Sequence, residues 1–303
     1  MIGDAHEPTS RLDAHHRFEE RYERLKESRR TAPLVALLER FLEVDGVSQG
    51  GLVAIELFTT VIPLMIIGFA YFSGFSENAS VGNLFIRELG LHHPLDDRVR
   101  EAFGTSSGLQ STWTFFGVAS FLVWGIPMSI TVASMFAQAW RREQFSLLEK
   151  LGRGSAWFVL YLVTSVLRQR IGFGGHHGTA IRILLLTAAL IPTWAFWSFT
   201  PGLLVRDGGR GWRYLLLAGL AGVVIDGIIL VVAAHIVFPM LLSGWTGFGP
   251  IGVAMTLMTW CGVIGVGWVV TACASAVLWE RNAPVRTVIE SQTAEPELPA
   301  PQS

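Results

Sequence analysis

The sequence predicts an all-α fold: a polytopic membrane bundle of about six transmembrane helices, preceded by an amphipathic helix at the membrane interface. Three observations carry this. Of the 303 residues, 51% are apolar and 16% are charged, whereas a soluble domain carries roughly 25% charge. The apolar residues gather into runs near the roughly 20 residues that a helix needs to cross a hydrocarbon core about 30 Å thick. The runs lack the period-two alternation of a barrel strand, and lipid admits only helices or a closed barrel.

Residues 1–32 are rich in Arg, Glu and His and have no apolar face. They read as a polar cytoplasmic tail, and a polar stretch of this length ahead of the first apolar run is not the pattern of a signal peptide. Residues 33–46 follow as the interfacial helix. Leu34, Leu37, Leu38, Phe41 and Leu42 recur at helical spacing. Pro33 suits a first turn and Gly46 suits a stop. The stretch is too short to span and is expected to lie along the inner membrane surface.

The six spans are expected at about 51–75, 113–139, 155–172, 181–199, 214–238 and 250–278. In the third, the apolar part runs only from Ser155 to Leu167, so crossing requires Arg168 and Arg170 to snorkel to the far interface. The connection from Ser76 to Thr112 is the longest, and Pro94 to Phe103 reads as a short amphipathic helix within it. Residues 279–303 are rich in Pro, Glu, Gln and Ser and read as a disordered cytoplasmic tail.

Orientation follows the Lys and Arg counts outside the apolar cores. With the N-terminus inside, the inner segments carry 17 of the 23 basic residues and the outer ones 6. Both termini are therefore expected in the cytoplasm. Net charge is −1, so bulk charge predicts no nucleic-acid partner.

Ionisable residues within spans are functional hypotheses by default. Glu56 shares one face of the first span with Thr59, Thr60 and Pro63. Such a stripe is expected to face the bundle interior, either as a translocation site or as hydroxyls that satisfy the backbone freed by Pro63. Asp226 lies near the centre of the fifth span, on one face with Ala218 and Gly222. Small residues at that spacing allow close helix contact, so Asp226 is expected in a helix seam, as a proton or cation site or as a structural hydrogen-bonded acid. Pro192 and Pro201 are expected to kink or end the fourth span, and Gly262, Gly265 and Gly267 to thin the sixth.

Cys261 and Cys273 fall in one helix, about 18 Å apart, well beyond disulfide reach of about 7 Å. They read as small core residues. The pairs His15-His16, His92-His93 and His176-His177 have no Cys or carboxylate at ligand spacing, so no metal and no cofactor is predicted. No phosphate loop, dinucleotide fingerprint or zinc-protease motif occurs. The expectation is a protein that is not an enzyme.

Several residues together resemble the YihY/virulence factor BrkB family of bacterial inner-membrane proteins, over roughly residues 34–281. They are the helix Leu34 to Val44, the run Thr60-Val61-Ile62-Pro63, and Trp140-Arg141-Arg142 after the second span. Trp197-Ser198-Phe199-Thr200-Pro201 closes the fourth span, Arg213 through Gly222 leads to Asp226, and Phe248-Gly249 opens a last span holding Trp260. The chain departs from the family at Glu56, where tyrosine is common, at Thr271-Ala272-Cys273, where a Gly-Ala-Glu run is common, and at Ile229 and Leu230, where some members are basic. The resemblance implies six helices, a bacterial cell-membrane location and a role in envelope or lipid export. The family has also carried a ribonuclease label, which no acidic cluster or basic stripe in this sequence supports.

Two functions are expected from these features. The first is transport or export of a lipid or another amphipathic envelope component, with membrane lipid as the partner. The alternative is a non-transporting scaffold or assembly protein of the envelope, working through its N-terminal tail and outer loop. A homo-oligomer or an envelope-assembly partner is compatible with either.

Overall fold

The computed structural model describes residues 28, 31–72, 93–98, 110–172, 179–208 and 211–284. Most of both tails, most of the Ser76–Thr112 connection, and His15, His16, His92, His176 and His177 lie outside these residues. The described residues form helices joined by short turns, and none of them lies in a strand.

The helices are α1 (Ala32–Glu43), α2 (Gly46–Phe72), α3 (Gln110–Ala139), α4 (Leu147–Gly172), α5 (Thr179–Leu204), α6 (Trp212–Gly222), α7 (Leu230–Trp245) and α8 (Pro250–Asn282). A π-helical segment, Val223–Ile229, joins α6 to α7 without a break. Among the described residues, three helical stretches are long and apolar enough to cross a membrane: Leu184–Leu204, Trp212–Trp245 and Ile251–Asn282. That length and composition are compatible with an integral membrane protein.

Helices adjacent in sequence pack as neighbours from α2 through α6, and α8 closes the bundle against α2, α6 and α7. Its most apolar stretch is 61% buried, against 39% for that of α5, so α8 is the more central. Large outward-facing side chains such as Val159, Val163, Ile191, Ile236 and Met255 are exposed, which is the inverse of a soluble surface and suits lipid. The main core joins Val53 and Leu57, Phe136, Trp157, Trp197 and Trp268.

The observed helices depart from the sequence expectation at several places. Residues 279–282, expected in a disordered tail, continue α8, where Glu280 is held by Arg40. The fourth expected span continues through Pro201 to Leu204 rather than stopping at Phe199. A proline removes one intrahelical bond, and here the turn holds through Val205 N–H to the Pro201 carbonyl and Thr200 Oγ1 to the Phe196 carbonyl. The helices also do not end at Pro192 or Pro63. The third apolar run sits within a 26-residue helix, α4, twice as long as its apolar part. The leucines of α1 divide: Leu34, Leu38 and Leu42 point outward, while Leu37 and Phe41 pack on the core.

α1 is fixed to the bundle by Arg40, which is 3% exposed. Its guanidinium donates to the Ala139 carbonyl at the end of α3 and to both carboxylate oxygens of Glu280 on α8, at 2.9 and 2.7 Å. Glu43 pairs with Arg141 and lies 3.6 Å from Arg40. Next to Arg141 and Glu280 in the chain, Trp140 and Trp279 meet with ring centroids 5.4 Å apart and planes tilted by 45°.

Candidate functional site

Asp226 sits inside the π-helical segment, 5% exposed, in the seam between that segment, α4 and α5. The tyrosine Tyr161 donates its hydroxyl to Oδ1 at 3.3 Å, and Trp197 donates Nε1–H to Oδ2 at 3.3 Å. The Arg168 guanidinium stands 3.7 Å from Oδ2. Apolar rings enclose the group: Trp157, Tyr161, Phe196, Trp197 and Trp268 contact one another at centroid distances of 5.0 to 6.2 Å. π-helical turns commonly mark functional positions, because the extra residue redirects side chains.

Close helix approach creates this seam. A Cβ on Gly222 would lie 2.0 Å from Trp197 Cγ, and one on Gly219 2.1 Å from Ser198 Oγ. Ala218 is fully buried beside them. The small residues Ala218 and Gly222 therefore let α5 approach until the Trp197 indole reaches Asp226.

Glu56 belongs to a different seam, between α2 and α3. Its Oε1 accepts from Thr131 Oγ1 at 2.8 Å, while its buried Oε2 has no hydrogen bond among the described residues. One helical repeat away, Gln49 Nε2 donates to Gln138 Oε1 at 3.2 Å. Positions 49 and 56 on α2 match 138 and 131 on α3, so the two polar contacts share one antiparallel register. Thr60 is buried, and Thr59 turns its hydroxyl back to the Ile55 and Glu56 carbonyls at 3.0 Å. Of the predicted stripe, Glu56 thus accepts a hydrogen bond from another helix, while Thr59 donates within its own. Among the described residues, Glu56 and Asp226 share no bonding partner.

The sequence reading missed Tyr161, Arg168, Trp197 and Thr131 as partners of these acids. One signal was present: Trp157, Tyr161 and Arg168 are spaced four and seven apart, on one face of α4. Instead of snorkelling outward, Arg168 turns back to Asp226, in the direction helical side chains lean. Arg170 is exposed. His235 is exposed and bonded through Nδ1 to the Val231 carbonyl at 2.8 Å.

The expectation that no carboxylate stands at ligand spacing from the histidine pairs fails at His93, because one helical turn brings the ligand atoms of His93, Asp96 and Asp97 within 4.8 Å of one another. His93 Nδ1 already pairs with Asp97 at 2.8 Å, and both side chains are exposed.

No protein-family model matches the chain, and neither a curated protein nor a solved structure matches it. The functional reading therefore rests on the chain's own residues.

Proposed function

We propose that this chain is a six-span protein of a bacterial cell membrane that moves a lipid or another amphipathic envelope component, in the manner the YihY/BrkB resemblance implies. The observation that supports transport most is Asp226: a carboxylate in an apolar helix, at a π-helical turn, held by two 3.3 Å contacts and one cation beyond hydrogen-bond distance. An acid retained at such cost, and held so loosely, suits a group that changes partners as cargo passes. A purely structural acid gains most from short, saturated bonds. α2 and α3 supply the first two spans in this reading, and α4 the third. α1 lies along the inner surface, with Leu34, Leu38 and Leu42 toward the lipid.

Translocation of a fluorescent lipid in liposomes holding the purified protein tests this. Acceleration over protein-free liposomes, reduced severalfold in Asp226→Asn, is the expected result. No acceleration with folded protein and several lipid classes would remove the transport reading in favour of the scaffold.

A further inference from the structure

Arg40 and Arg168 are both drawn into the bundle, but they use their donors differently. Arg40 donates three hydrogen bonds, one to Ala139 and two to Glu280. Arg168, its side chain 25% exposed, makes no hydrogen bond among the described residues, since Asp226 Oδ2 at 3.7 Å lies beyond hydrogen-bond reach. A guanidinium offers five N–H donors in a planar fork. Burying three quarters of the side chain beside one acid at 3.7 Å leaves donors that an anionic acceptor would satisfy. Phosphate is the acceptor that fits the fork in shape and charge.

Position narrows the source of that phosphate. On the inward side, Asp226 and the rings of Tyr161, Trp197 and Trp268 close the space. On the outward side of the same helix, Val163, Val166 and Leu167 are exposed, at 56%, 56% and 47%. An anion that reaches Arg168 therefore arrives beside an apolar, lipid-facing strip. We propose that Arg168 binds the phosphate of an anionic phospholipid whose chains lie along Val163, Val166 and Leu167, and that Asp226 is the resting counter-ion the phosphate displaces. This deepens the transport reading by naming its substrate class.

Native mass spectrometry of the full chain, released from detergent with equal dioleoylphosphatidylglycerol and dioleoylphosphatidylcholine, tests the proposal. Wild type is expected to retain the anionic lipid about tenfold over the zwitterionic one, the scale of one charge-assisted contact. Arg168→Gln should lose that preference and Arg168→Lys keep part of it. Arg206→Gln, which removes an exposed cation paired with Glu143, should keep all of it. Asp226→Asn should raise retention, because the competing carboxylate loses its charge. Equal retention of both lipids by wild type, or an unchanged preference in both Arg168 variants, overturns the proposal. Inorganic phosphate added alone is the third arm: a phosphate adduct without a lipid preference overturns the lipid source. If Arg168→Gln fails to elute as folded protein, the Lys and Asn variants decide. An Arg168-dependent preference in a protein that translocates nothing sustains this inference and removes the transport reading, and Asp226-dependent translocation without lipid preference does the reverse.

Discussion

Arg40 shows what a hydrogen-bonded buried charge does in this bundle. It holds the interfacial helix to the ends of α3 and α8 through the Ala139 carbonyl and Glu280. Removing one partner of a buried pair leaves the other charged and unmatched, at a cost of about 3 kcal/mol or more. Arg40→Ala is therefore expected to lower the thermal unfolding midpoint in detergent, and an unchanged midpoint would show that α1 is held by apolar packing alone. Glu43 adds a pH dependence. Its hydrogen bond from Arg141 holds its carboxyl below the ordinary value of 4.5. A depressed folded-state pKa contributes stability that is present above the ordinary value and lost as pH falls through the depressed one. Docking of α1 should therefore weaken on acidification below the usual carboxylate range, read as faster proteolysis near residues 43–46, and Glu43→Gln should abolish that pH dependence.

The glycines of α8 belong to the scale of the element. The sequence reading grouped Gly262, Gly265 and Gly267 as one thinned stretch, but their surroundings differ. A Cβ on Gly265 would lie 2.3 Å from the Gly50 carbonyl oxygen, where α2 and α8 touch backbone to backbone. A Cβ on Gly262 would meet nothing within 4 Å. Gly265→Ala should destabilise by about 1–3 kcal/mol through forced separation of the helices. Gly262→Ala should be neutral or stabilising by about 0.5–1 kcal/mol, because alanine loses less entropy in a helix. Paired unfolding midpoints check both, and equal effects would mean that α2 and α8 do not touch as described. The π-helical segment is the other feature at this scale, and it turns Asp226 into the seam that Gly222 and Gly219 open.

For the whole molecule, the six-span reading predicts opposite sides for two exposed turns. His93 lies in the connection between α2 and α3, and Ser146 in the one between α3 and α4. The native Cys261 and Cys273 are buried at 1% and 0% exposure, so labelling background should be low. Ser146→Cys should react with an impermeant maleimide only after the inner face is opened, and His93→Cys should react in intact cells. Labelling of both from one side would break the predicted topology.

The sequence by itself determined the chemistry of the parts. Long apolar runs determined the helical class, and a lone acid in such a run marked Asp226. The small residues Ala218 and Gly222 foretold its place in a seam. Those signals are local, because hydrophobic length and helical periodicity act within one element. The tertiary structure alone decided who meets whom. Tyr161 and Trp197 reach Asp226 from 65 and 29 residues away, and Thr131 reaches Glu56 from 75. The same packing gave Arg40 three hydrogen bonds and left Arg168 with one acid 3.7 Å away. Neither outcome is legible in one helix, since a hydrogen bond within a seam depends on the rotation and approach of both helices that form it.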